Sequence, residues 1–195
     1  MKKIVVLVSG GGTNLQALID AKDVIVSGKI TKVISSKPGA YALERAKRAG
    51  ISSTVVDRKS FPDDKSYQKA LLSALRAEAP DLIVLAGFLS IIGKDIIREF
   101  EHKIINVHPS LIPAFCGDGF YGLKVHEAAL AKGVKVTGAT VHFVNEIVDG
   151  GKIILQRPVM VEENDTPEIL QKRVMQQAEW VILPQACEMV LSGKV

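Results

Sequence analysis

Apolar positions along the chain follow two periods. Short runs of β-branched and aliphatic residues, bounded by Gly, Ser or Pro, recur at Ile4–Val8, Thr31–Ser35, Thr54–Val56, Leu82–Leu85, Ile104–Val107, Val136–Val144 and Lys152–Val159. Runs that are apolar on both faces predict strands buried on both sides, as in a parallel sheet. Between the first five runs, helical spacing appears at Leu15–Ala21, Tyr41–Ala49, Tyr67–Ala79 and Lys94–Phe100, and Gly50 follows the second as a stop signal. This alternation predicts an α/β fold with a doubly wound, mostly parallel sheet. Ligands of such sheets bind beyond the carboxyl ends of the strands, near the switch point of the strand order.

After Val107 the pattern changes. A loop rich in Pro, Gly and aromatic residues runs to about Gly122 and leads to a short helix near Val125–Lys132. Two long strands joined across Asn145–Gly151 then predict an antiparallel C-terminal hairpin on the sheet edge. Pro167, just inside the start signal Asp165–Thr166, opens a final long helix over Glu168–Leu191 that must fit around Trp180 and Pro184. Residues 1–195 read as a single domain, with no internal repeat and no linker.

Composition adds exclusions. With 47% hydrophobic and 24% charged residues the chain falls outside disordered, collagen-like and disulfide-scaffold classes. Its +4 charge is spread without a basic block, which favours a small anionic ligand weakly and nucleic acid hardly at all. Cys116 and Cys187 suggest neither a disulfide framework nor a zinc site, so a reducing, cytoplasmic compartment is expected and no metal. The apolar run after Met1-Lys2-Lys3 ends at Val8, too soon for a signal peptide core or a membrane span.

The loops after strands carry the candidate chemistry. Ser9-Gly10-Gly11-Gly12-Thr13-Asn14 joins the first strand to a helix, which presents backbone N–H groups and a positive helix end to an anion. It lacks the Lys of a Walker loop and the third Gly of a dinucleotide fingerprint, so a single phosphate fits better, while a tight turn capped by Thr13 or Asn14 is the plainer alternative. Asn106 and His108 lie two apart at the end of the fifth strand and project to one side. An amide donor beside an imidazole suits acyl transfer, where an oxyanion needs hydrogen bonds and a proton must move. His102, His126 and His142 lack such a partner and read as structural or surface residues. The turn Asn145–Gly151 offers Glu146 and Asp149, between which periodicity does not choose. The run Gly87–Ile92 could line a slot for a flat aromatic ligand or belong to the core, and Asp57, Arg58 and Lys65 follow the third strand, where a cation could reach a phosphate or carboxylate from the same rim, a solvated face being the plainer alternative.

Taken in order, the glycine loop, Asn106-Val107-His108-Pro109-Ser110-Leu111-Ile112-Pro113, and Thr140–Glu146 continuing to Asp149-Gly150-Gly151 resemble the folate-dependent formyltransferases. Within that family the chain resembles the phosphoribosylglycinamide formyltransferases, from Lys3 to about Pro184. It has no room for the extra domains of the tRNA-formylating or formyltetrahydrofolate-hydrolysing members. The resemblance implies a Rossmann-like fold and a one-carbon transferase of purine biosynthesis. Its substrates would be 10-formyltetrahydrofolate and 5-phosphoribosylglycinamide, without metal, nucleic acid or membrane, in a monomer or homodimer. It implies Asn106, His108 and Asp149 as catalytic residues, with Asp149 keeping His108 protonated. It implies Gly12, Thr13, Asn14 and Glu179 for the ribonucleotide, and Lys65, Leu89, Ser90, Ile91, Ile92 and Asn106 for the folate.

The chain departs from the family pattern in places. Lys65 and Ser90 stand where Arg is common, which puts affinity in question rather than reaction type. The loop Ala114–Gly122 lacks the usual Phe-Pro-Gly form, Lys152 stands where Pro often follows the double glycine, and Cys116 reads as a small packing residue within a mobile wall of the cleft. Two other readings stay open: a hydrolase that passes the formyl group to water, and a module that only binds a sugar phosphate through Gly10–Asn14.

Overall fold

The first apolar run becomes the middle of the sheet. In β1 (Lys2–Val8) every side chain from Ile4 to Val8 is fully buried. Ile4, Val6 and Val8 point into one core and Val5 and Leu7 into the other, so the strand has no face that a polar residue could occupy. The computed structural model describes residues 1–195.

From β1 the chain passes through α1 (Thr13–Asp20), β2 (Gly28–Ser35), α2 (Ala42–Arg48) and β3 (Ser52–Val55) to one edge of the sheet. A 3-10 turn (Arg58–Ser60) and α3 (Asp64–Glu78) bring it back to β4 (Leu82–Leu85) on the other side of β1. Next come α4 (Lys94–Glu99), β5 (Ile104–His108), α5 (Leu123–Lys132), β6 (Val136–Phe143) and β7 (Ile153–Met160). The seven strands lie in the order β3-β2-β1-β4-β5-β6-β7, parallel as far as β5 and antiparallel from β5 to β7. Tyr67, Leu71, Leu75 and Ile96 of α3 and α4 pack one face. Leu15, Leu18, Ala42 and the C-terminal helix cover the other.

Each expected strand forms, as does the doubly wound, mostly parallel arrangement. The C-terminal hairpin sits on the sheet edge as expected, with β7 outermost and β6 joining it to β5. Hairpin spacing identifies β7 as a partner of β6 but carries no information about pairing with β5. The final helix forms over the expected stretch but is not regular throughout: α6 (Pro167–Val174) passes into a π-helical turn (Met175–Glu179) before α7 (Trp180–Leu191). There the Trp180 N–H reaches back five residues to the Met175 carbonyl. Pro184 has no N–H to offer the Trp180 carbonyl four residues back, and its ring crowds that carbonyl. The wide turn sits directly upstream of the disturbed position.

The connections from β1 leave to one side and those from β4 to the other, so the switch point lies between these strands. Their carboxyl-end loops are tied together there. The Ser9 N–H donates to Gly87 O at 3.1 Å, and Ser9 Oγ accepts the Leu89 N–H at 2.9 Å.

Candidate active site

At this switch point a cavity of about 650 Å³ opens, bounded by the ends of β4 and β5 and by the loops after β5 and β6. Strand pleating delivers Asn106 and His108 to one side of β5. Antiparallel pairing with β6 sets His142 directly opposite Asn106.

Asp149 comes from the β6–β7 connection, and local chemistry fixes its place. Asn145 Oδ1 accepts the Ile147 N–H at 3.0 Å, and its Nδ2 donates to Gly150 O at 3.2 Å. The turn puts Asp149 in left-handed backbone at φ 53°. Gly151 has no room for a side chain, since a Cβ there would stand 1.6 Å from Phe143 O. Asp149 Oδ2 accepts the Gly117 N–H at 2.9 Å and lies 3.5 Å from His108 Nδ1. Its Oδ1 lies 3.5 Å from His142 Nε2. The choice between the two acids of this turn is thereby made: Asp149 faces the imidazoles, while Glu146 pairs with Lys94 and Arg98 of α4 at 3.1 and 3.2 Å.

Both histidines are anchored on main-chain carbonyls. His108 Nε2 donates to Phe115 O at 2.8 Å, and His142 Nδ1 donates to Phe143 O at 2.9 Å. A carbonyl only accepts, so those nitrogens carry the hydrogens. The expectation that Asp149 keeps His108 protonated needs correction. The carboxylate does favour the cation, as does the Phe115 carbonyl, but burial outweighs both, and His108 titrates below the usual histidine range. Burial likewise pushes Asp149 up. The His142 ring and then the Gly117 N–H lead the effects that overcome it and leave Asp149 below the ordinary carboxylate range.

At the other end of the cavity Asn14 and Glu179 meet, with Asn14 Nδ2 donating to Glu179 Oε2 at 2.8 Å. Glu179 is 6% exposed, and burial raises its carboxyl to about 7 against the Asn14 hydrogen bond. The glycine loop lies beside them. Gly12 is the residue before α1, in left-handed backbone at φ 71°, and a Cβ on it would strike Ala42 Cβ at 2.6 Å. Neither Thr13 nor Asn14 caps the helix. A Cβ on Gly10 or Gly11 would meet nothing within 4 Å. Gly12 is thus required by packing against α2, whereas Gly10 and Gly11 keep the face of the loop open.

Leu89, Ser90, Ile91 and Ile92 all line the cavity, with Leu89 and Ile91 exposed on its rim and Ile92 buried. Together with the exposed Ile147 and Val148 across the opening they make one end of the cavity apolar. Lys65, Gly12 and Thr13 are not on its wall. Lys65 is an exposed residue in the first turn of α3, and Thr13 Oγ1 turns to Met175 Sδ at 3.8 Å.

Sequence reasoning missed His142 and His126. His142 is buried against Asn106 and Asp149, and the alternation Thr140-Val141-His142 in a strand next to β5 was the signal that could have found it. His126 of α5 is fully buried and lines the cavity with both ring nitrogens unpaired, and burial together with His108 holds it down at about 4. The Cys116 thiol is pushed up by burial and then by Asp149, and its Sγ donates to Pro113 O at 3.3 Å, as a packing residue would.

Comparison with known proteins agrees with this geometry. The pattern of the family described as formyl transferase matches residues 2–187. Phosphoribosylglycinamide formyltransferase of Haemophilus influenzae is 42% identical over 196 residues, covering 100% of this chain and 90% of that protein. The trifunctional purine biosynthetic protein adenosine-3 of Homo sapiens is 42% identical over 194 residues, although the chain spans only 19% of that protein's length. The crystal structure of glycinamide ribonucleotide transformylase 1 from Symbiobacterium toebii superposes with a TM-score of 0.92 at 42% identity, covering 99% of this chain and 89% of that one. With a family match across nearly its whole length and full-length relatives at this identity, the chain belongs to the formyl transferase family.

Proposed function

We infer that the chain transfers a formyl group from 10-formyltetrahydrofolate to the amine of 5-phosphoribosylglycinamide, giving formylglycinamide ribonucleotide and tetrahydrofolate. The observation that carries this reading is the convergence of Asn106, His108 and Asp149 between an apolar end and a polar end of one cavity. The flat ring of the folate fits between Leu89–Ile92 and the Asn145–Asp149 loop. Asn14 and Glu179 suit sugar hydroxyls, and the open face of Gly10 and Gly11 leads to the phosphate.

The substrate amine attacks the formyl carbon, and negative charge grows on the formyl oxygen. Asn106 supplies a neutral N–H donor to it. His108 Nε2–H is committed to the Phe115 carbonyl, so the proton that this ring exchanges is the one at Nδ1, facing Asp149. Burial makes the neutral ring the resting form, and the cation becomes favourable as the oxyanion develops beside it. Collapse breaks the carbon–nitrogen bond to the folate. The amine gives up a proton and the departing folate nitrogen takes one, with His108 and Asp149 placed to carry it. Ser90, which lines the cavity where Arg is common, leaves the folate with one bidentate contact fewer, which affects affinity and not this sequence of steps.

The test follows absorbance of 10-formyltetrahydrofolate with and without 5-phosphoribosylglycinamide. Turnover that requires the amine supports the transferase; release of formate without it supports hydrolysis by the same site. His108→Ala and Asp149→Asn are expected to lower kcat by about 10²–10⁴-fold while circular dichroism stays unchanged. Undiminished rates in either variant would overturn the assignment.

A further inference from the structure

An amide such as Asn106 can present either its oxygen or its NH₂ group to a given neighbour, and only the neighbour's chemistry decides. Here the neighbour is His142. Its Nδ1 carries a hydrogen, because it faces the Phe143 carbonyl at 2.9 Å. Its Nε2 stands 3.2 Å from Asn106 Nδ2 within hydrogen-bonding geometry. Asp149 Oδ1 stands farther off, at 3.5 Å. A neutral ring bonded in this way is a pure acceptor at Nε2, and only the NH₂ side of Asn106 can satisfy it.

We propose that His142 is a positioning residue, whose carbonyl-anchored neutral ring fixes the orientation of the Asn106 carboxamide in the cavity. With one N–H given to His142, Asn106 turns its carbonyl oxygen and its second N–H toward the reacting groups. The oxygen can hold the incoming amine by accepting its N–H, and the remaining N–H can meet the formyl oxygen. A flipped amide would set two acceptors against each other at His142 and reverse both contacts. The titratable groups facing this ring are Asp149 of the β6–β7 connection and His108 of β5. A proton added at Nε2 would be drawn to Asp149 Oδ1, and the ring would then require the oxygen of Asn106 instead.

This inference rests on the formyl-transfer reading, and its tests separate the two. In the steady-state assay His142→Leu is expected to lower kcat about 10- to 100-fold, less than outright loss of a donor, with KM for both substrates within about twofold. His142→Gln, whose Oε1 can accept from Asn106, is expected to recover most of that loss. In an Asn106→Ala background the Leu substitution should cost less than about twofold, because no amide remains to be oriented. A full additional loss in that background, or equal defects in the Gln and Leu variants, overturns the proposal. Nitrogen-15 NMR of the histidine rings tests it independently of turnover. A pyrrole-type Nδ1 and a pyridine-type Nε2 for His142 at pH 7.5 support it, and an Nε2–H tautomer or a doubly protonated ring refutes it. If the wild-type protein transfers no formyl group, the formyl-transfer reading fails while the NMR result still decides the orientation of the amide.

Discussion

The three glycines of the β1–α1 loop are alike in sequence and unlike in what they do. Gly12 needs both a left-handed backbone and the absence of a side chain, since a Cβ would overlap Ala42. Gly10 and Gly11 need neither on the protein's own account. Gly12→Ala is therefore expected to destabilise the fold by about 1–3 kcal/mol, from left-handed strain and overpacking. Gly11→Ala should leave the melting temperature nearly unchanged and raise KM for the ribonucleotide, because the new methyl stands where a phosphate would approach. Melting curves and steady-state kinetics on the two variants check both halves. A Gly11→Ala enzyme with unaltered KM would remove that loop from the phosphate site.

On the scale of elements, the π-helical turn decides what the C-terminal helix shows to the cavity. Gln171, Met175 and Glu179 all line it, although three residues spaced by four drift steadily around an ordinary α-helix. The wide turn cancels part of that drift and brings Glu179 to Asn14 while Ala178, Ile182 and Leu183 stay in the core. Glu179→Ala removes that acid from its place beside Asn14 and leaves the helix itself as it is. KM for the ribonucleotide should then rise about 10- to 100-fold, the worth of a hydrogen bond to a charged group, with KM for the folate unmoved. Equal changes in both KM values would show that the whole site had shifted. The helix itself was legible from its start signal and apolar spacing, and Pro184 marked a disturbance. Nothing in the spacing of Met175–Glu179 distinguishes a wide turn from a regular one. His142 escaped for a related reason. A histidine's role depends on which strand lies beside it, and strand order is set by packing of elements distant in sequence.

On the scale of the whole molecule, two buried groups that line the cavity respond to pH in opposite directions. Glu179 is raised to about 7 by burial. Above its ordinary value of 4.5 the unfolded chain ionises while the folded one keeps its proton, so stability is lost as pH rises until about 7. His126 is lowered from 6.5 to about 4. Below 6.5 the unfolded chain takes a proton that the folded one refuses, so stability is lost as pH falls toward about 4. Each effect approaches about 3 kcal/mol over its window. Glu179→Gln should therefore stabilise the protein at pH 7 relative to pH 4.5, and His126→Phe should stabilise it at pH 4.5 relative to pH 7. Urea titrations of both variants and the parent at the two pH values give the difference curves. The doubly wound arrangement and the strand-end place of Asn106 and His108 were legible, because alternation and strand-end position report on them directly, whereas periodicity left Asp149 level with Glu146 and only the family resemblance singled it out. The pairing of Asn14 with Glu179, 165 residues apart, was not, since only the folded chain brings the first and last helices together.

The groups that hold the two imidazoles and the carboxylate belong to the main chain: the carbonyls of Phe115 and Phe143 and the N–H of Gly117. A point mutation rewrites a side chain and leaves the peptide group where it was. The segment Ala114–Gly122 is consequently free to drift in composition as long as its path is kept. Its departure from the usual Phe-Pro-Gly form, with a cysteine at position 116, is a change of spelling that leaves the hydrogen bonds to His108 and Asp149 intact.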